Sequence, residues 1–214
     1  MFTYSLQGLE LSTDVAGPTE VEENETTARS AVYQVLGSFF AATPAERDAG
    51  AASGRWSQEL VAAAELLPFA FDIGEVPAPG GSPGADGGLG ADALLGGEAT
   101  PDRDAEVAAV CREYEYFGLA AGADGARPAD HLATELDFLQ YLCFREAATP
   151  SPRLAVSFRR AQRDFLDRHV LEWVSRLAER AGAEGAGKPV LWALERLVAF
   201  VTADRAYVAA RLGS

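Results

Sequence analysis

The chain has 214 residues, 48% hydrophobic and 23% charged; this composition supplies a core for one domain or two small ones and excludes a wholly disordered chain. Its 18 Lys and Arg against 32 Asp and Glu leave a net charge of −14, so it lacks the basic balance of a nucleic-acid binder. The whole excess lies in residues 1–110, with 4 Arg and 18 acidic residues, whereas residues 111–214 are net neutral. That half reads either as a solubility device or as a surface that attracts a basic partner.

Residues 1–25 are polar, acidic and aperiodic and read as a flexible acidic tail. They contain neither a basic n-region nor an apolar h-region, and no apolar stretch approaches the ~20 residues of a membrane span, so a cytoplasmic chain with no membrane insertion is expected. The first helix is predicted from about Thr27 to Ala41, with Ala28, Val32, Val35, Leu36 and Phe39 on one 3.6-residue face. Thr43-Pro44-Ala45-Glu46 is a capping box for a short second helix, and a third begins near Arg55 and ends at Pro68. Residues 74–97 hold nine Gly and three Pro with no apolar face, the composition of a mobile loop. Helical pattern resumes after Thr100-Pro101-Asp102, with Val107, Val110, Cys111, Tyr114 and Phe117 inward. After a second linker, Ala121–Ala129, come Leu132, Leu136, Leu139 and Cys143 at 4, 3 and 4. From Ser151-Pro152 the stripe Phe158, Gln162, Phe165, Leu166, His169, Val170, Trp173, Val174 and Leu177 is long for one helix, and a break is expected near Asp167–His169. A last helix follows Pro189. The reading is all-α: a single bundle of about seven to nine helices over 26–214, with an N-terminal lobe to about 120 and a C-terminal lobe from about 128.

The densest polar constellation is Asp130, His131 and Glu135. With Asp130 as N-cap, His131 and Glu135 share a helix face. Such a pair can do acid–base chemistry, or the cluster can simply hold a loop. No nucleophile motif or metal-ligand set accompanies it, so no catalytic residue and no metal site is assigned. Cys111 and Cys143 lack CxxC spacing and fit apolar stripes as structural thiols. The glycines form no phosphate-binding loop. Tyr114 belongs to the core stripe, which leaves Tyr116 as an exposed aromatic; Trp56, Trp173 and Trp192 read as core.

In order along the chain, Tyr33-Gln34-Val35-Leu36 with Phe39-Phe40 and Pro44, then Tyr114-x-x-Phe117-Gly118, then Pro128-x-Asp130-His131-Leu132-x-x-Glu135-Leu136-x-Phe138-Leu139, then Gln162-x-x-Phe165-Leu166-x-x-His169-Val170-x-x-Trp173 and the closing helix around Trp192 form a recognisable set. Together these stretches, spanning roughly 29–205, resemble the TorD/DmsD/NarJ group of chaperones for molybdenum enzymes of the dimethyl-sulfoxide-reductase superfamily, and Leu67–Asp72 is similar to the branch serving the type II enzymes. Val76–Gly97 departs from the group by lacking its aromatic.

The resemblance implies a chaperone, not an enzyme. It implies a binding partner in the apo catalytic subunit of a molybdoenzyme and that subunit's twin-arginine leader, with insertion of the molybdenum cofactor following. Client and leader binding fall to Asp130, His131, Glu135, Tyr116, Phe117 and Pro128. No permanently bound cofactor is implied, only a transient contact with molybdopterin guanine dinucleotide or a guanine nucleotide, and the chain is a monomer or homodimer. The alternative is a helical adaptor or nucleotide-binding regulatory protein without such a client.

Overall fold

The computed structural model describes residues 19–75, 77, 103–120 and 127–213. Among them the chain forms eight α-helices and no β-strand, the expected all-α class: α1 Glu20–Ala41, α2 Pro44–Ala52, α3 Arg55–Ala64, α4 Arg103–Tyr116, α5 Leu132–Ala148, α6 Pro152–Phe165, α7 Leu171–Ala183 and α8 Lys188–Gly213. A π-helical turn, Leu166–Val170, joins α6 to α7. The loop expected over 74–97 falls outside the described residues except for 74, 75 and 77, as does the Thr100–Asp102 cap.

The first helix begins seven residues earlier than its apolar stripe predicts. Thr19 and Glu22 form a capping box: the Glu22 amide donates to Thr19 Oγ1 (3.3 Å) and the Thr19 amide donates back to Glu22 Oε2 (2.9 Å). Glu20, Glu22 and Glu23 occupy the first turn, where carboxylates offset the exposed N–H groups of the helix. Residues 20–25, read from sequence as tail, are therefore helix. The capping box at Thr43 and Glu46 forms as expected (Thr43 amide to Glu46 Oε2, 2.8 Å). Between α2 and α3 the chain turns through Gly54 at φ 71°. Trp56 closes onto Gly50, where a Cβ would lie 2.2 Å from its indole nitrogen, so this turn needs a glycine for space.

One continuous core runs from Val32 to Val201. Its centre is α1 against α5, the most extensive helix pairing, with α3 and α8 also reaching α1. Gly37 lets the two backbones approach, and Ser30 Oγ donates to the Gln140 carbonyl (3.2 Å). The helices assigned to separate lobes by sequence thus share their largest contact. On the other side, α6 lies on α5 and α8, and α7 packs on α8. The expected break in the long stripe is the π turn. Its extra residue per turn changes the helical phase, so that Phe165 and Leu166 before it, and Val170, Val174 and Leu177 after it, are all buried. On the outside of this turn, Asp167 accepts both donors of Arg205 (2.8 and 3.0 Å).

A polar knot sits inside this core. Arg29 of α1 is fully buried. It pairs with Asp204 of α8 through Nε and donates to Gln162 of α6 through Nη2; its Nη1 lies 3.5 Å from Glu146 of α5. The Tyr33 hydroxyl donates to Asp204 (2.6 Å), Gln162 Nε2 donates to Glu146 (2.8 Å), and Arg159 Nε reaches Glu146 from α6 (2.8 Å). Two guanidinium groups thus face two carboxylates in a balanced set. Burial opposes the Arg29 charge, but Asp204 and Glu146 hold it firmly protonated, while burial keeps the Tyr33 phenol well above its usual range. Removing one partner leaves a charge stranded in apolar surroundings, which typically costs about 3–5 kcal/mol. We predict that loss for Asp204→Ala in urea unfolding; a loss below about 1 kcal/mol, the worth of a surface pair, would contradict it.

Candidate functional site

The start of α5 gathers most of the residues singled out from sequence. A turn at Pro128–Asp130, closed by the His131 amide on the Pro128 carbonyl (3.2 Å), leads into the helix. The cap is His131 and not Asp130: its Nδ1 accepts from the Ala133 amide (3.1 Å) with extended backbone (φ −74°, ψ 134°). That bond fixes the ring tautomer with its proton on Nε2. The Asp130 carboxylate instead takes two donors from Arg103 of α4, Nε at 3.2 Å and Nη2 at 3.0 Å.

Glu135 lies one turn into α5 and is buried. It does not pair with His131; the Trp173 indole of α7 donates to its Oε2 (3.2 Å). Burial pushes the Glu135 carboxyl well above the ordinary range, against the opposing pull of that bond. Burial, with Arg127 adding to it, lowers His131 to about 4. Burial thus disfavours the charged form of both groups: the acid is bonded to an indole and the imidazole to the backbone. The arrangement therefore shapes the start of α5 and does not present a carboxylate–imidazole pair.

The aromatic members lie where α4 meets this end of the bundle. Tyr114 is fully buried against Phe138 (ring centroids 4.8 Å) and Phe165 (6.1 Å), and its hydroxyl donates to the Ala129 carbonyl (2.9 Å). Phe117 is half-buried between Phe138 (5.7 Å) and Phe158 (5.8 Å). Tyr116 points the other way and is 82% exposed, edge-on to Phe117. Pro128 is exposed as well. Next to this patch, Arg145 donates to the Tyr141 hydroxyl (3.0 Å) and lies over the Phe158 ring (5.4 Å). Of the expected set, Tyr116 and Pro128 are exposed and Phe117 is half-buried, while Asp130, His131 and Glu135 are buried.

Sequence reasoning overlooked Arg103 and assigned no partner to Trp173. The signal for Trp173 was its indole on a core stripe, which needs an acceptor, and Glu135 was the buried acceptor available. Among the described residues no group of three or more His, Cys, Asp and Glu is placed to hold a metal ion, and no helix is long and apolar enough to cross a membrane.

The two buried groups give stability opposite pH dependences. An unfolded chain takes up a proton on His131 near pH 6.5, whereas the folded chain does so only near 4, so stability falls as pH drops between these values. The folded Glu135 holds its proton to higher pH than the unfolded one, whose carboxyl ionises above 4.5, so its contribution is lost as pH rises. Glu135→Gln keeps an acceptor for Trp173 and removes the ionisation. Its melting temperature should gain on the parent as pH rises from about 5 to 8; a constant difference across that range would contradict the upward shift of the Glu135 carboxyl.

Comparison with known proteins bears on the same region. Residues 95–179 match the model of the nitrate reductase delta subunit family. The selenate reductase assembly chaperone protein of Thauera selenatis is 43% identical over 90 residues, 41% of this chain and 47% of that protein. The chlorate reductase assembly chaperone protein of Ideonella dechloratans is 39% identical over 90 residues, with the same shares. Chaperone protein TorD of Vibrio parahaemolyticus is 29% identical over 92 residues, 43% of each chain. The chain spans about half the length of the first relatives it matches, and no solved structure matches it with significance. Across the matched stretch, which holds α4, the Pro128–Glu135 run and the π turn, the chain is similar to the nitrate reductase delta subunit family.

Proposed function

We propose that this protein is an assembly chaperone for a molybdenum-containing reductase of the dimethyl-sulfoxide-reductase superfamily, acting in the cytoplasm without turning over a substrate. One observation carries the reading: three relatives similar in sequence are named as reductase assembly chaperones, and the stretch matched by the family model contains the surface just described. In this reading the client is the apo catalytic subunit, held through its twin-arginine leader while molybdopterin guanine dinucleotide enters the client. Cofactor contact by the chaperone is transient.

The chemistry of the surface suits that task. A twin-arginine leader offers guanidinium groups followed by apolar residues. Asp130 already accepts two donors from an arginine in a geometry that a lysine does not reproduce. Tyr116 and Phe117 offer aromatic area beside it, with little conformational entropy to lose on binding. The acidic N-terminal half supplies long-range attraction for a basic leader. His131 and Glu135 serve as positioning residues for the Asp130 turn.

A tagged full-length chain, expressed with the genes of its own organism and recovered with its partners, should carry a molybdoenzyme catalytic subunit identified by mass spectrometry. Tyr116→Ala should leave unfolding within about 0.5 kcal/mol of the parent, as an exposed site does, and weaken that client's binding about tenfold, as for a hot-spot aromatic. Recovery of no molybdoenzyme subunit would overturn the reading. Undiminished binding by Tyr116→Ala would remove this face from it.

A further inference from the structure

Arginines in this chain meet acids with one edge of the guanidinium. Arg103 on Asp130, Arg159 on Glu146 and Arg205 on Asp167 each bring Nε and Nη2 together onto a single carboxylate. These are the two parallel N–H groups that match a carboxylate in planar, bidentate fashion. Arg145 of α5 is held by the other side. Its Nη1 donates to the Tyr141 hydroxyl (3.0 Å), and its guanidinium lies over the rings of Tyr141 (5.6 Å) and Phe158 (5.4 Å). Among the described residues no carboxylate lies within ion-pair distance of it, and its Nε and Nη2 make no hydrogen bond.

This cation stands at the rim of the aromatic face. Phe158 touches Phe117 (5.8 Å) as well as Arg145, and the Tyr141 hydroxyl that receives Arg145 reaches the Phe117 carbonyl (3.4 Å). Phe117 in turn meets the exposed Tyr116. The acids nearest in sequence are engaged elsewhere. Glu146 is buried in the knot with Arg29 and Arg159, Glu113 is taken by Arg168, and Glu115 bears on the Cys111 thiol. The last turn of α5 favours a cation, but the helix dipole asks for charge alone and not for a guanidinium oriented by two rings. We propose that the Nε–Nη2 edge of Arg145 receives a carboxylate of the client, an Asp or Glu next to the apolar residues that cover Tyr116 and Phe117.

This inference rests on the proposed function for the identity of the client, while the unpaired edge stands without it. It adds a direction to that reading. Like charges placed together oppose binding, so the arginines of a leader lie away from Arg145 and the acidic residue lies beside it. Because the guanidinium is already half-buried and stacked, little ordering remains to be done when the carboxylate arrives.

Carbodiimide coupling tests this, because it joins an amine to a carboxylate in contact with it and leaves arginine untouched. The chain has a single lysine, Lys188, exposed at the start of α8. The full chain with a lysine-free tag and Arg145→Lys keeps the charge and supplies an amine at position 145. Recovered with its client and treated with carbodiimide, it should yield a peptide linking position 145 to an Asp or Glu of the molybdoenzyme subunit, a link the parent cannot form. Arg145→Gln, which keeps polarity without the charge, should melt close to the parent and bind the client about tenfold more weakly. If the client is recovered undiminished with Arg145→Gln and no link forms at position 145, the edge takes no carboxylate and the chaperone reading survives. If the parent recovers no molybdoenzyme subunit, that reading falls and this inference with it.

Discussion

The buried Arg29 sets the arrangement of the bundle. A guanidinium with no exposure must be neutralised and hydrogen-bonded, and here Asp204, Glu146 and Gln162 do so from three other helices. A single side chain therefore fixes how α1, α5, α6 and α8 meet. Purely apolar surfaces slide past one another at little cost, whereas this knot is satisfied in one register. Tyr33 extends it by one turn along α1 through its bond to Asp204, and Arg159 closes the far side on Glu146. The framework so fixed holds the start of α5 at the end of the bundle where α4 docks.

That framework carries the other helices. The α1–α5 pair and the α6–α8 side share the continuous core. Helix α4 adds Val110 and Tyr114 to that core, with Val107 and Cys111 half-buried against it and polar ties at its rim. The π turn matters here too. Its change of phase keeps Phe165 against Tyr114 and presents Arg168 to Glu113 of α4, so the irregularity in the long helix lies directly under α4.

Much of this was legible in the sequence because burial has a period. The stripes of α4, α5 and α8 locate their helices, and the overlong stripe after Pro152 announced a break that the π turn supplies. The start of α1 was also written, in Thr19-Glu20-Val21-Glu22, but four acidic residues without apolar spacing hid a capping box inside an apparent tail. The polar knot was half visible. Arg29 falls with Tyr33, Leu36 and Phe40 at intervals of four, three and four, and Asp204 falls likewise among Leu197, Val201 and Val208. Charges at core positions need partners, yet the partner of Arg29 lies 175 residues away, beyond any local pattern. At the site, spacing put His131 and Glu135 on one face but could not reveal their partners. A histidine can cap a helix as well as an aspartate when its Nδ1 is unprotonated, and Asp130 was drawn away by Arg103, across a gap of 27 residues. The residues were identified from a local run, and their roles were decided by tertiary neighbours.

The surface at the α4–α5 end is the core of the functional reading, and site-directed photocrosslinking tests it most directly. A photoreactive amino acid replaces Tyr116 in the full chain, and in a second variant it replaces Val61, an exposed residue of α3. Irradiation in cells of the source organism should join a molybdoenzyme catalytic subunit to the first variant and not to the second. Equal capture at both positions, or capture at position 61 alone, would contradict a client-binding face at the start of α5.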